Sequence, residues 1–188
     1  MEVSITEIIN KTKQIFINPK GFWVAKKEEE SFSTVFTGFL FPIILVVATS
    51  VFIGELLRRS DFIIEIPLLN ALQIFVLFLL QYIVSVFFTN ELIKTFGGEK
   101  DKTISKNLVA YSMTPLLLIF TVTRLVPFLG ILNILGFYGF YIFWIGVDEL
   151  LIIPDKRKSG YALITILVNF FVFCFLSLLL SKLIAAYY

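Results

Sequence analysis

Three carboxylates stand where long apolar runs end: Glu91, Asp148 and Glu149. Gathered on one side of a membrane, such acids would bind a cation or a lipid head group. Each also lies at the C-terminal end of its run, where the helix macrodipole disfavours negative charge. Something basic must offset them. Lys94 follows Glu91 closely, and Lys156, Arg157 and Lys158 follow the other two. Pairing with these loop residues is the competing use of the same acids.

A second set of polar residues is embedded within the apolar runs themselves. Isolated polar side chains in hydrocarbon face protein or a wet cavity, so their spacing marks inner faces. Asn70, Gln73, Gln81 and Ser85 fall near one helical face, as do Asn107, Tyr111, Thr114 and Thr121. Tyr161, Thr165, Asn169, Ser177 and Ser181 follow an i, i+4 line. Gly136, Gly139 and Gly146 make a small-residue face. Such stripes serve either as helix contacts or as the lining of a polar cavity. In Tyr111-Ser112-Met113-Thr114-Pro115, proline frees the carbonyl of Tyr111 and predicts a kink, with Ser112 and Thr114 near enough to satisfy local backbone groups. The Tyr111 hydroxyl is expected to bond across to the polar line of the second or fifth run. Pro42 is the other predicted kink.

Several chemistries find no residues. The chain has no histidine, hence neither the commonest general base nor the commonest metal ligand. The one cysteine, Cys174, sits in an apolar run and reads as a small hydrophobe. No nucleotide-binding loop or zinc-peptidase motif occurs, and Gly97-Gly98 reads as a turn. The expectation is no catalytic residue, no metal and no cofactor. A net charge of +2 gives no pull toward nucleic acid.

The elements that position these residues follow from hydropathy. The 188 residues are 58% hydrophobic and 16% charged, with mean hydropathy +0.91; soluble domains carry about a quarter charged. Runs long enough to span a bilayer occur at about 34–57, 67–93, 104–125, 129–151 and 161–185. Ahead of them, Ile5, Ile8, Ile9, Thr12, Ile15 and Phe16 recur at helical spacing opposite Glu7, Asn10, Lys11, Lys13 and Gln14. This predicts an amphipathic helix lying on the inner leaflet or on the protein's own loops. Pro19 ends it, and Phe22 and Trp23 then read as interfacial aromatics. No cleavable signal peptide is expected, because the first ~30 residues are charged. The fold class is all-α: a polytopic integral membrane protein of five transmembrane helices with an N-terminal amphipathic interfacial helix. The division is 1–33 for the cytoplasmic helix and linker, and 34–188 for the membrane domain.

Orientation follows from Lys and Arg in short loops. Lys11, Lys13, Lys20, Lys26, Lys27, Lys94, Lys100, Lys102, Lys106, Lys156, Arg157 and Lys158 lie on one side. Only Arg58, Arg59, Arg124 and Lys182 lie on the other. The N-terminus is therefore expected in the cytoplasm and the C-terminus outside. Glu55 is expected to pair with Arg58 or Arg59.

The order of features resembles the Yip1 domain family in its short bacterial form. The carriers are Pro19-Lys20-Gly21-Phe22-Trp23, Phe41-Pro42, Phe96-Gly97-Gly98, Ala110-Tyr111-Ser112 with Pro115, Pro127-Phe128-Leu129-Gly130, and Tyr138, Tyr141 and Gly146. The resemblance covers nearly the whole chain and implies an inner-membrane protein. Eukaryotic members are associated with Rab GTPases through a long hydrophilic N-terminal region, which these ~30 residues do not match. No catalytic residue carries over. Three functions are compatible: handling of membrane lipids by transport, scrambling or bilayer organisation; an assembly factor binding protein partners or a second copy of itself; and a small-solute or ion carrier using Glu91 or Asp148. No evident inverted repeat supports the carrier.

Overall fold

The computed structural model describes residues 5–28, 35–58 and 64–186. Among them are helices α1 (Ile5–Ile17), α2 (Pro19–Glu28), α3 (Phe41–Arg58), α4 (Glu65–Thr95), α5 (Lys102–Leu125), α6 (Tyr138–Leu150) and α7 (Asp155–Ala185), and no strand. A π-helical turn, Phe36–Leu40, precedes α3, and a 3-10 segment, Pro127–Phe137, precedes α6. Five stretches are long and apolar enough to cross a bilayer: Phe36–Arg58, Glu65–Thr95, Lys102–Leu125, Pro127–Leu150 and Asp155–Ala185. The fold is the all-α polytopic one that the hydropathy implies. Glu29, Glu30, Arg59 and the division at 33/34 lie outside the described residues.

Helices α4 and α5 form the centre. They pack on each other and on α3; α5 also carries α6 and the 3-10 segment, and α4 carries α7. Helix α7 buries only Tyr161, Ala162, Thr165 and Leu176. Much of its apolar surface, Phe171 and Phe175 included, is exposed, as suits a lipid-facing helix.

Local chemistry sets the element ends. Gly97 takes φ +87°, and the Gly98 and Gly97 amides return to the Ile93 and Lys94 carbonyls, which closes α4 in a Schellman turn. Asp101 then caps α5, its carboxylate accepting from the Thr103 and Ile104 amides at 2.7 and 2.9 Å. Pro42 lacks the N–H that Gly38 would receive. The turn before it widens, and the Phe41 amide reaches the Phe36 carbonyl five residues back. Helix α5, in contrast, stays helical through Pro115.

The N-terminal helices lie along the flank of α6. Phe16 stacks on Tyr138, Trp23 donates to the Ile142 carbonyl at 3.0 Å, and Lys20 pairs with Glu149 at 3.6 Å. Asn18 accepts from the Gly21 amide, so Pro19 both ends α1 and opens α2. In α1, Ile15 is buried, whereas Ile5, Ile9, Phe16 and Ile17 remain exposed. The expectation of interfacial Phe22 and Trp23 is corrected here. They are 6% and 0% exposed, inside the bundle. Phe39 of the π-helical turn and Phe22 of α2 both pack on Tyr111, and α2 lies against α6.

Candidate functional site

The polar lines of the second and fifth spans meet face to face. Tyr161 donates to the Thr89 carbonyl at 2.8 Å, and Gln81 Nε2 donates to the Asn169 carbonyl at 3.0 Å. Gln73 Nε2 donates to Ser181 Oγ at 3.0 Å, and Asn169 Nδ2 to Thr89 Oγ1 at 3.3 Å. The antiparallel register brings 73, 81 and 89 opposite 181, 169 and 161. Hydroxyls and amides thus seal α4 to α7, where hydrocarbon outside provides no hydrophobic drive. Thr89 extends the line of Asn70, Gln73, Gln81 and Ser85, and lies one i+4 step beyond Ser85.

Helices α5 and α6 meet differently. A Cβ on Gly139 would stand 2.3 Å from the Ser112 carbonyl oxygen, and one on Gly136 2.8 Å from the Leu116 side chain. One on Gly146 would meet Leu108 at 2.6 Å and the Trp23 indole at 2.7 Å. All three glycines are filled by a neighbour. The 3-10 geometry helps, because three residues per turn align Gly130, Asn133 and Gly136 on one face. Ile131, Ile134 and Leu135 then point away and are exposed.

Between the two seams lies a cavity of about 290 Å³. Gln81 and Ser85 line it from α4, Ser112, Met113 and Phe120 from α5, and Ile166 and Asn169 from α7. Asn133, Gly136 and Phe137 line it from the 3-10 segment, with Phe140 from α6. The wall holds no charged side chain. Gln81 is buried, and its Oε1 has no hydrogen-bond partner among the described residues. Ser112 Oγ and Asn169 Oδ1 are likewise buried without one. Asn133, Phe137 and Phe170 are lining residues that are also exposed, so the cavity reaches the surface between α7 and the fourth span. Asn133, whose Oδ1 accepts from Thr123 at 3.0 Å, is a cavity residue absent from the sequence-derived set. Its signal is the spacing of three to Gly136.

The other expected site residues take other places. Tyr111 is turned from the polar line of α4 and α7. Its ring lies 4.8 Å from Phe22 and from Phe39 and 5.8 Å from Trp23, with the buried Lys26 ammonium 5.7 Å away. The reason is the aromatic nest of Phe22, Trp23 and Phe39 that holds α2 there. Thr114 is spent locally on the Ala110 carbonyl at 3.3 Å. Asn70 and Ser177 are half-buried and away from the cavity wall.

The three acids do not come together. Glu91 pairs with Lys100, and Glu149 with Lys20. Asp148 is exposed, and Lys158 donates to its backbone carbonyl at 3.2 Å. No group of three acidic, histidine or cysteine side chains able to hold a metal occurs among the described residues. The expected acidic cluster is therefore corrected to two separate ion pairs, at Glu91 and Glu149, each with a lysine from another segment, and an exposed Asp148. At the opposite end, Glu55 pairs with Arg58 at 3.0 Å, and Arg58 also reaches the Arg124 carbonyl at 3.1 Å.

The Yip1 domain model matches residues 13–176, which include α2, the cavity, the α5–α6 seam and the α4–α7 seam apart from Ser181. No curated protein and no solved structure matches the chain.

Proposed function

The chain belongs to the Yip1 domain family, and from that premise we propose that this integral membrane protein handles membrane lipid without catalysis, admitting an amphiphile sideways into the cavity between α4, α5, α6 and α7. The cavity itself carries the reading. It is apolar for most of its wall, carries a few amides and hydroxyls, and reaches the surface within the membrane-spanning stretches. Cavities of this kind take ligands with an apolar body and a few oriented polar groups. The basic end of the bundle, with α1, the α4–α5 turn and the α6–α7 loop, is the cytoplasmic end by the positive-inside rule. The exposed apolar residues of α1 then rest in the inner leaflet.

Holding a lipid is favoured over scrambling. A scramblase needs a hydrophilic path along its length, and here the polar line is closed by its own hydrogen bonds. Photolabelling tests the reading. Full-length protein in phosphatidylcholine vesicles is irradiated with a diazirine-bearing acyl lipid, and the adducts are mapped. Met113 lines the cavity and is 8% exposed, whereas Phe171 and Phe175 face outward. Adducts on Met113 and Ile166 are expected. Adducts confined to the outward phenylalanines would overturn the reading.

A further inference from the structure

The cavity's unpartnered atoms state what a ligand must offer. Gln81 Nε2 uses both of its hydrogens, one on Ser85 Oγ at 2.9 Å and one on the Asn169 carbonyl at 3.0 Å. A backbone carbonyl has no hydrogen to give, so the amide nitrogen must face it and the orientation of Gln81 is fixed. Its remaining atom, Oε1, is acceptor-only. Asn169 directs Nδ2 to the Thr89 hydroxyl at 3.3 Å and leaves Oδ1 without a partner among the described residues, but a hydroxyl can also donate, so this contact does not fix the amide as the carbonyl fixes Gln81. Ser112 Oγ adds a hydroxyl that both gives and takes. Burying such atoms unpaired is costly, and three of them share one wall.

The wall offers nothing to a charge. A phosphate or carboxylate would meet two acceptor oxygens and no cation, and an ammonium would leave water without a counter-ion. The volume is at the small end for a ligand site, enough for a head and part of one chain. Resting on the lipid-handling reading, we propose that the cavity selects single-chain amphiphiles with a neutral, hydrogen-bond-donating head, the class of long-chain alcohols and monoacylglycerols. A head hydroxyl donates its one hydrogen to Gln81 Oε1 and accepts from Ser112 Oγ, and the second hydroxyl of a monoacylglycerol donates to Asn169 Oδ1. The chain leaves toward the bilayer at the exposed rim that Asn133, Phe137 and Phe170 form.

The test uses full-length protein in an amine-oxide detergent, whose head carries no hydroxyl. Oleyl alcohol, 1-oleoylglycerol, oleyl methyl ether, oleate and oleyl phosphate are titrated separately, with binding read by native mass spectrometry. One equivalent of alcohol or oleoylglycerol is expected. The ether, which cannot donate, and both anions should bind about tenfold or more weakly, the worth of one to two hydrogen bonds. Gln81→Leu should bring the alcohol down to the level of the ether. Ser112→Ala removes a hydroxyl with no partner in the fold, so it should keep the protein intact and weaken the alcohol several-fold. If Gln81→Leu fails to fold, the ether comparison and Ser112→Ala decide. Equal binding of all five probes overturns the head-group selection and leaves the lipid-handling reading standing. Absence of binding while Met113 is still photolabelled by the acyl lipid has the same meaning. Absence of both overturns both.

Discussion

The α4–α7 and α5–α6 seams join helices of similar hydropathy by opposite means. Across the first, side chains reach over and bond: Tyr161 to Thr89, Gln81 to Asn169, Gln73 to Ser181. Across the second, side chains are deleted, and the backbone of α6 at Gly139 rests on the carbonyl of Ser112. In lipid both solutions work, because association there depends on close packing and hydrogen bonds rather than on expelling water. They differ in what they leave behind. Glycine packing leaves no unsatisfied group of its own, whereas amides bring two polar ends and the seam uses one. The cavity lies between the seams, and two of its three unpartnered oxygens, at Gln81 and Asn169, come from the polar one, while the third, Ser112 Oγ, belongs to α5.

The comparison predicts that the glycine seam is the less forgiving. Gly139→Leu should prevent recovery of folded, monodisperse protein on fluorescence-detected size exclusion, since even its Cβ would strike α5 backbone that cannot yield. At Gly130, by contrast, an added methyl group would meet nothing within 4 Å. Gly130→Ala should therefore behave as the parent, and a loss there would mean that the 3-10 backbone, not packing, is what the glycines serve. Next in size is Trp23→Ala. The indole is fully buried against Gly146 and donates to Ile142, so its removal should cost about 3–5 kcal/mol in a denaturant titration. A change below about 1 kcal/mol would place α2 on the surface after all, as the interfacial reading expects.

What the sequence makes legible divides along the same boundary. The polar seam is readable because helical spacing repeats every three to four residues, and Gln73, Gln81, Ser85, Asn169 and Tyr161 are conspicuous against leucine and phenylalanine. Their register is then almost forced, since two antiparallel lines of equal step have few ways to match. The small-residue face at Gly136, Gly139 and Gly146 is legible too. That its first part is a 3-10 segment is not read from apolar run length; the only trace is the spacing of three from Gly130 to Asn133 to Gly136. Trp23 is misplaced by its residue type, which favours interfaces. The partners that bury it, Tyr111, Ile142 and Gly146, lie about 90 to 120 residues along the chain, and that pairing is not a local property. The acids have the same difficulty: Lys20 reaches Glu149 across most of the chain.

Smaller effects sharpen the polar seam. Tyr161→Phe keeps the ring against Phe96 and removes the bond to Thr89. The loss should be about 0.6–1.7 kcal/mol, the range for single bonds between membrane helices. A null result would mean that ring packing alone holds that end, and that the polar line is incidental to assembly.

The smallest effect expected lies outside both seams. Lys11 hydrogen-bonds the Glu7 carboxylate at 2.6 Å on exposed α1 and holds it below the usual carboxylate range. A depressed folded value stabilises the helix above the unfolded value and is lost as pH falls through the folded one. Acidification should thus loosen α1 first. Amide exchange, corrected for intrinsic rate, should quicken in α1 while Gln81 and Ser85 of α4 stay protected. Glu7→Gln should remove that contribution to the pH dependence and leave α4 unchanged. If the α4 amides open together with α1, the N-terminal helices and the polar seam are one cooperative unit, and the Trp23 anchor transmits between them.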